Sequence, residues 1–322
     1  MKKTLAILIG LALALGLCLP ACAAQYTIGI CQFRPHPALD EATRCFKDAV
    51  NAALGEGEVE FLFDNAQGEF AACTAAMSGY VTKGVNLILA NATSALEAAA
   101  NATMEIPVLG VSVTEYGAAL HIDDFDGLVG GNISGASDLA PLDEQDKMIL
   151  SVFPQTQRVG LLYCSGEPNS AYQVKKVREY LEGQGVACLD FPFVDSSDVA
   201  RVTGEAAKAA QVIFIPTDNV VADCAEIICD VVLPAGVPVM GGDTYMCSAC
   251  GVATLSVDYY DLGVVTGQMA VKILTGQERI EEMPIAYAPE FLKLYNRDLC
   301  QELQVDVAAL EAAGYVDLAK IQ

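Results

Sequence analysis

The chain has 322 residues, 53% of them apolar and 18% charged, which excludes a disordered, collagen-like or multi-span membrane protein and leaves room for two domains, each with its own core. Asp and Glu number 41 against 18 Lys and Arg, a formal net charge of -23. That balance excludes nucleic acid or an anionic membrane surface as the main partner.

In chain order, the first expected feature is a secretory signal peptide over residues 1–23. Lys2 and Lys3 form a basic tip, an uncharged apolar run extends from Leu5 to Leu19, and Pro20-Ala21-Cys22-Ala23 follows. The run is shorter than the ~20 residues of a spanning helix. Cleavage after Ala23 and lipid modification of Cys22 both fit the small residues there, and a Cys in Leu19-Pro20-Ala21-Cys22 favours the lipid. Either route exports the body to the periplasm or cell surface.

Beyond the leader, short apolar runs alternate with helical patterns. Strands are expected over residues 26–31, 59–63, 87–90, 108–111, 159–163, 187–191, 212–215 and 237–240. Helices are expected over 39–54, 69–83, 95–103, 171–184, 197–209 and 220–233, with Gly55, Gly183, Gly185 and Gly236 at their ends. The alternation pauses at Asp124 to Asn132, a Gly- and Asp-rich stretch, and restarts near Val159. A further helix over 259–274 fits neither half. The fold class is therefore α/β, with two Rossmann-like lobes of parallel sheet joined by hinge crossings.

Ligands of open parallel sheets bind beyond the carboxyl ends of the strands, near helix N-termini. In the first half those loops hold Gln32-Phe33, Asn65 to Gly68, Asn91 to Ser94 and Ser112 to Glu115. In the second half they hold Ser165 to Ser170, Asp195 to Ser197, Pro216 to Asn219 and Gly241 to Thr244. Each small polar residue there reads first as a helix N-cap. The sorting adds a second meaning: hydroxyls and amides in one half, Asp218 and Asp243 in the other, match the two poles of an amino acid. Phe33, Tyr116, Tyr245 and Tyr259 lie near these loops and suit an aromatic or apolar side chain.

Enzyme signatures are missing: no nucleophile elbow, no Walker loop, no His-Glu-x-x-His and no glycine-rich dinucleotide loop after the first strand. Only His36 and His121 are histidines. Asp123 to Gly127 lacks the spacing and terminal Glu of a calcium loop. Cys247-Ser248-Ala249-Cys250 with Cys224 and Cys229 offers four thiolates, but no second Cys-x-x-Cys completes a zinc ribbon. Ten of the twelve cysteines follow Cys22, and they read as small buried apolar residues or one or two disulfides, with no metal or cofactor expected.

The motifs together resemble the substrate-binding proteins of ABC uptake systems of the tryptophan/tyrosine type. The resemblance rests on Ile28 to Phe33 with His36 to Asp40, on Asn65 to Gly68, on Ala92-Thr93, and on Gly130 to Gly135 with Ser137 to Leu139. It continues through Asn169-Ser170 with Gln173, Pro216 to Asn219, Gly242 to Thr244 and Asp258 to Gly263. It implies the type I periplasmic-binding-protein fold, with one lobe over residues 25–134 plus 258–284 and the other over 135–257 plus 285–322. It also implies a ligand-binding cleft lined by Gln32, Phe33, Thr93, Ser94, Asp138, Asn169, Ser170, Asp218 and Asp243. The implied ligand is an aromatic or other apolar amino acid, the partner an ABC permease, and the state a monomer without enzymatic activity. The chain departs from the family pattern at Glu115-Tyr116, where Asp-Pro is usual, and at the cysteine-rich Met246 to Cys250, where a basic helix is usual. The alternatives are a ligand sensor of the same fold or a racemase-type enzyme using Cys31 and Cys73.

Overall fold

A computed structural model describes residues 24–288 and 290–321; the leader over 1–23, with Cys22, lies outside them. The first sheet forms from runs with apolar side chains on both faces. Its strands are β1 (Tyr26–Gln32), β2 (Val59–Asn65), β3 (Leu87–Asn91), β4 (Val108–Val113), β5 (Ile133–Ser137) and β11 (Ala286–Tyr287), in the order β11-β5-β4-β3-β1-β2. Every pair in it is parallel. Its connecting helices are α1 (Pro37–Leu54), α2 (Phe70–Lys83), α3 (Thr93–Ala102) and the short α4 (Tyr116–Leu120).

The second sheet contains β6 (Arg158–Cys164), β7 (Ala187–Phe193), β8 (Val212–Ile215), β9 (Val239–Gly241), β10 (Ala253–Val257), β12 (Phe291–Tyr295) and β13 (Val316–Asp317). Their order is β13-β12-β10-β9-β8-β6-β7, parallel except for β12 against β10. Helices α5 (Leu142–Val152), α6 (Pro168–Gly183), α7 (Val199–Ala209), α8 (Asn219–Asp223), α9 (Ala225–Ala235) and α10 (Thr244–Ala249) cover it. The helix expected over 220–233 is two helices, because the backbone leaves helical geometry at Cys224.

Both sheets bury apolar side chains on each face, so the molecule has two doubly wound α/β lobes. The chain passes between them after β5, after β10 into α11 (Tyr259–Leu274), and after β11. Sheet pairing continues to Ser137 and to Tyr287, downstream of the breaks at 134 and 284 read from sequence. Strand β5 has no apolar run in Ile133-Ser134-Gly135-Ala136-Ser137, yet all five residues are buried between β4 and β11, at the crossing over Asn132 to Asp138 that the family resemblance implies.

Helix α11 lies against α1 at glycine distance. A Cβ on Gly263 would sit 2.4 Å from the Ala42 carbonyl oxygen, and one on Gly267 would sit 2.7 Å from the Ala49 Cβ. Gly263→Ala is therefore expected to push the helices apart and lower stability by about 1–3 kcal/mol, measured by urea denaturation. An unchanged midpoint would contradict this packing.

Candidate functional site

The carboxyl ends of the two sheets face one another across a narrow space with a cavity volume of about 20 Å³. The loop after β1 and the start of α1 bring His36, Ala38 and Leu39; β4 and its loop bring Ser112 and Thr114. From the second lobe come Asn169 at the start of α6, Thr217 to Asn219 after β8 with Ala222 on α8, and Asp243 after β9. Asp138 and Tyr259 stand at two of the chain crossings.

Acids dominate the walls, and their hydrogen bonds sort them. Asp218 caps α8, accepting from Val220 N and Val221 N at 3.0 and 2.9 Å through Oδ1, while Oδ2 accepts Cys164 N at 2.7 Å. Both of its oxygens are committed to the fold. Asp243 caps α10, with Oδ1 accepting Met246 N at 2.7 Å. Asp138 differs: Tyr259 donates its hydroxyl to Oδ2 at 3.0 Å, and Oδ1 is buried without a partner. Burial pushes Asp138 and Asp243 up to about 6 each, and Asp243 adds to the rise at Asp138. Behind the wall, burial and then the neighbouring Asp218 push Glu167 up to about 8.

The first lobe supplies donors. His36 Nδ1 accepts the Ala38 N–H at 3.2 Å and caps α1; burial brings the imidazole down to about 4, so it is neutral. A neutral ring that accepts at Nδ1 carries its proton on Nε2, which is buried without a partner. Ser112 has φ +54° where the β4–β5 register shifts, and its buried hydroxyl is also unpartnered. A serine held in the left-handed region beside a strand irregularity is a strained position of the kind that clusters at binding sites.

Of the residues expected from sequence, Asp138, Asn169, Asp218 and Asp243 line this space. Gln32 does not: it donates to Arg34 O and Asp40 Oδ1 at 2.8 and 2.6 Å and accepts from Thr43, a closed network beneath β1. Phe33 is buried in the core of the first lobe. Thr93 and Ser94 open α3, outside the lining, and Ser170 lies behind it, hydrogen-bonded to Asp218. Among the aromatic candidates only Tyr259 reaches the space. Tyr245 packs edge-on against His36 at 4.6 Å, and Tyr116 is buried over Gly110 and Gly135. Glu115 caps α4, accepting from Gly117 N and Ala118 N. The lining contains no cysteine; Cys31 and Cys73 are buried together in the first core. Among the described residues no group of three or more His, Cys, Asp or Glu is placed to hold a metal ion.

Arg34, which sequence reading passed over, joins the lobes. Its guanidinium donates to Asn219 O at 2.6 Å and pairs with Asp223 of α8. The only sequence cue was a basic residue in a strand-end loop of an acidic chain.

Raised carboxyls make a testable signature in ligand-free protein. Asp138, Asp243 and Glu167 bind protons more tightly folded than unfolded, so they contribute stability that is full below about 4 and lost as pH rises through about 6 and about 8. His36 acts oppositely, its contribution fading as pH falls from about 6.5 to about 4. The ligand-stripped protein is therefore expected to melt at a higher temperature at pH 5.5 than at pH 8, by calorimetry. A lower melting temperature at pH 5.5 would contradict the burial of these acids.

Comparison with known proteins agrees with this architecture. The tyrosine-binding protein of Clostridioides difficile (strain R20291) is 26% identical over 294 residues, covering 91% of this chain and 85% of that protein. The crystal structure of an ABC domain in complex with L-Trp from Streptococcus pneumonia superposes with a TM-score of 0.84 at 28% identity, covering 90% of this chain and 99% of that one. The ligand-free, open structure of a substrate binding protein with adhesive properties from Clostridium difficile gives 0.70 at 28% identity, covering 91% and 99%. This chain thus superposes more closely on the L-Trp complex than on the open form. Solute binding proteins of lower identity, one with bound myo-inositol at 14%, share the two-lobed type I periplasmic-binding fold. A family model described as ABC transporter substrate binding protein matches residues 27–311, and the chain belongs to that family.

Proposed function

We propose that this chain is the extracytoplasmic receptor of an ABC importer that closes its two lobes on one aromatic amino acid and presents it to a membrane permease. The observation that carries the reading is a set of buried polar atoms left without partners around one interlobe space: Asp138 Oδ1, His36 Nε2 and Ser112 Oγ. Such atoms cost stability unless a ligand completes them. The ammonium pairs with Asp138, with Asp243 beside it, and the carboxylate accepts from His36 Nε2 and Ser112. The α3 N-terminus at Thr93 and Ser94 adds positive potential from the same side. Leu39, Ala38 and Ala222 offer the apolar contact.

The names of the relatives, tyrosine-binding in one and complexed with L-Trp in another, favour an aromatic side chain. Two lobes, 25–134 plus 258–284 and 135–257 plus 285–322 give or take the strand ends described above, move as bodies about the crossings, since ligand binds the closed form better. The receptor acts as a monomer, is exported by its leader and held at the membrane through a lipid on Cys22. In this reading it performs no chemistry, as befits a member of the ABC transporter substrate binding family. Among the described residues no helix is long and apolar enough to cross a membrane.

Thermal-shift screening of ligand-stripped protein against the twenty amino acids, followed by calorimetry, tests the reading. Binding of an aromatic amino acid at micromolar or lower Kd, about 8 kcal/mol or more, is expected. Stabilisation by sugars or nucleosides and by no amino acid would overturn it.

A further inference from the structure

Two of the free cysteines of the second lobe meet close to its surface, away from the interlobe space. Cys229 lies on α9 and is partly exposed; Cys250 follows the last turn of α10 and is fully buried. The Cys229 thiol donates to Ala249 O at 3.3 Å, one of the carbonyls that a helix end leaves without a helical partner. The Cys229 and Cys250 side chains are also hydrogen-bonded to each other. Between them, Asp230 to Ala249 runs through β9 and carries Asp243, whose carboxylate caps α10 and lines the interlobe space.

The chemistry open to this pair follows from what joins it and what does not. Cys224 sits at the break between α8 and α9, and Cys247 turns its thiol to Gly251 O at 3.7 Å. Among the described residues no group of three or more His, Cys, Asp or Glu is placed to hold a metal ion, so the two thiols meet without the further ligands zinc needs. Cys31 and Cys73 make the same kind of contact in the first core, but both are fully buried, beyond the reach of a dissolved reagent. Cys229 combines a partner thiol with access to solvent. Burial raises both thiols of the pair, and their mutual hydrogen bond lowers Cys229 while raising Cys250, so Cys229 is the first to ionise and attack.

We propose that Cys229 and Cys250 form a disulfide by exchange with a low-molecular-weight disulfide, a redox modification that fastens α9 to the end of α10. The Cys229 thiolate attacks one sulfur of the reagent, making a mixed disulfide and releasing one thiolate. The Cys250 thiolate then attacks Cys229 Sγ and releases the second. Two protein thiols are oxidised, one reagent disulfide is reduced, and the two protons end on the released thiols. The bond removes the S–H donor from Ala249 O, a weak contact, and closes the loop that carries Asp243, which restricts the unfolded chain. The extracytoplasmic setting proposed above is one in which such bonds persist, while the chemistry itself is independent of the ligand.

The test starts from protein stripped of ligand, reduced with dithiothreitol, freed of the reductant and incubated with oxidised glutathione. Alkylation in denaturant followed by peptide mass spectrometry is expected to recover two peptides linked through Cys229 and Cys250. The linked form is expected to melt at least about 4 °C above the reduced form, from closure of that loop. In Cys229→Ala the same treatment should leave the melting temperature unchanged. Cys229 and Cys250 both alkylated after treatment would overturn the proposal. So would glutathione retained on Cys229, a link from either residue to another cysteine, a linked form that melts no higher than the reduced one, or a rise kept by Cys229→Ala. The wild-type measurements need no variant to fold.

Discussion

Asp138→Asn is expected to raise the Kd for the amino acid by about 100-fold or more, because losing one member of a buried, hydrogen-bonded charge pair costs about 2–5 kcal/mol. The same change should raise the melting temperature of the ligand-free protein at pH 7.5. There the wild type holds Asp138 ionised against burial that pushes it up to about 6, with Asp243 as a like-charged neighbour. Opposite effects on affinity and on stability distinguish a ligand contact from a structural carboxylate. Affinity should also fall as the medium is acidified below about 6, since Asp138 and Asp243 must then release protons to meet an ammonium. Each contributes at most a tenfold loss per pH unit. Calorimetry across pH 5 to 8 checks this; an affinity unchanged by Asp138→Asn at pH 7.5 would remove the assignment.

Arg34→Met is expected to weaken binding by about 10- to 30-fold by a different route, releasing the first lobe from the second. The Arg34 side chain is 8% exposed, crosses the gap between lobes, and ends on the Asn219 carbonyl and Asp223. It touches none of the atoms assigned to the ligand, so its loss should change the balance between open and closed forms. Small-angle scattering of the ligand-free variant should show a larger radius of gyration than the wild type, with ligand restoring the compact value. Asp223 is 51% exposed, and Asp223→Asn should cost only a few-fold, because the exposed half of the pair gains little. An Arg34→Met protein as compact and as tight-binding as the wild type would show that the bridge does not hold the lobes.

The sheets were legible in the sequence because strands buried on both faces are continuous apolar runs; Leu87 to Ala90 and Val108 to Val111 read that way and lie in fully buried strands. Strand β5 shows no such run and was legible only through the family resemblance, since Ser134, Gly135 and Ser137 become buried only when β4 and β11 flank them. Short β11 and β13 likewise exist through pairing with distant strands. For the site, sequence located the loops but not how each polar side chain is used. Gln32 and Asp138 look alike as polar residues near strand ends, yet Gln32 is consumed by Arg34, Asp40 and Thr43 while Asp138 keeps an oxygen free. Asp218 and Asp243 both cap helices, as the pattern of an acid at a helix start predicts, and they also line the space. Arg34 stayed hidden because Asp223 lies 189 residues away, and no local pattern encodes that meeting.

The account stands on one space satisfying both ends of a zwitterion, and ligand analogues test that without altering the protein. Calorimetry should compare L-tyrosine with tyramine, which lacks the carboxylate, and with 3-(4-hydroxyphenyl)propanoate, which lacks the ammonium; L-tryptophan with tryptamine and 3-indolepropanoate serves if tryptophan binds better. Both truncated forms are expected to bind at least about 100-fold more weakly than the intact amino acid, since each leaves buried polar atoms of one pole unpaired. Either truncated form binding within about threefold of the amino acid would contradict the account.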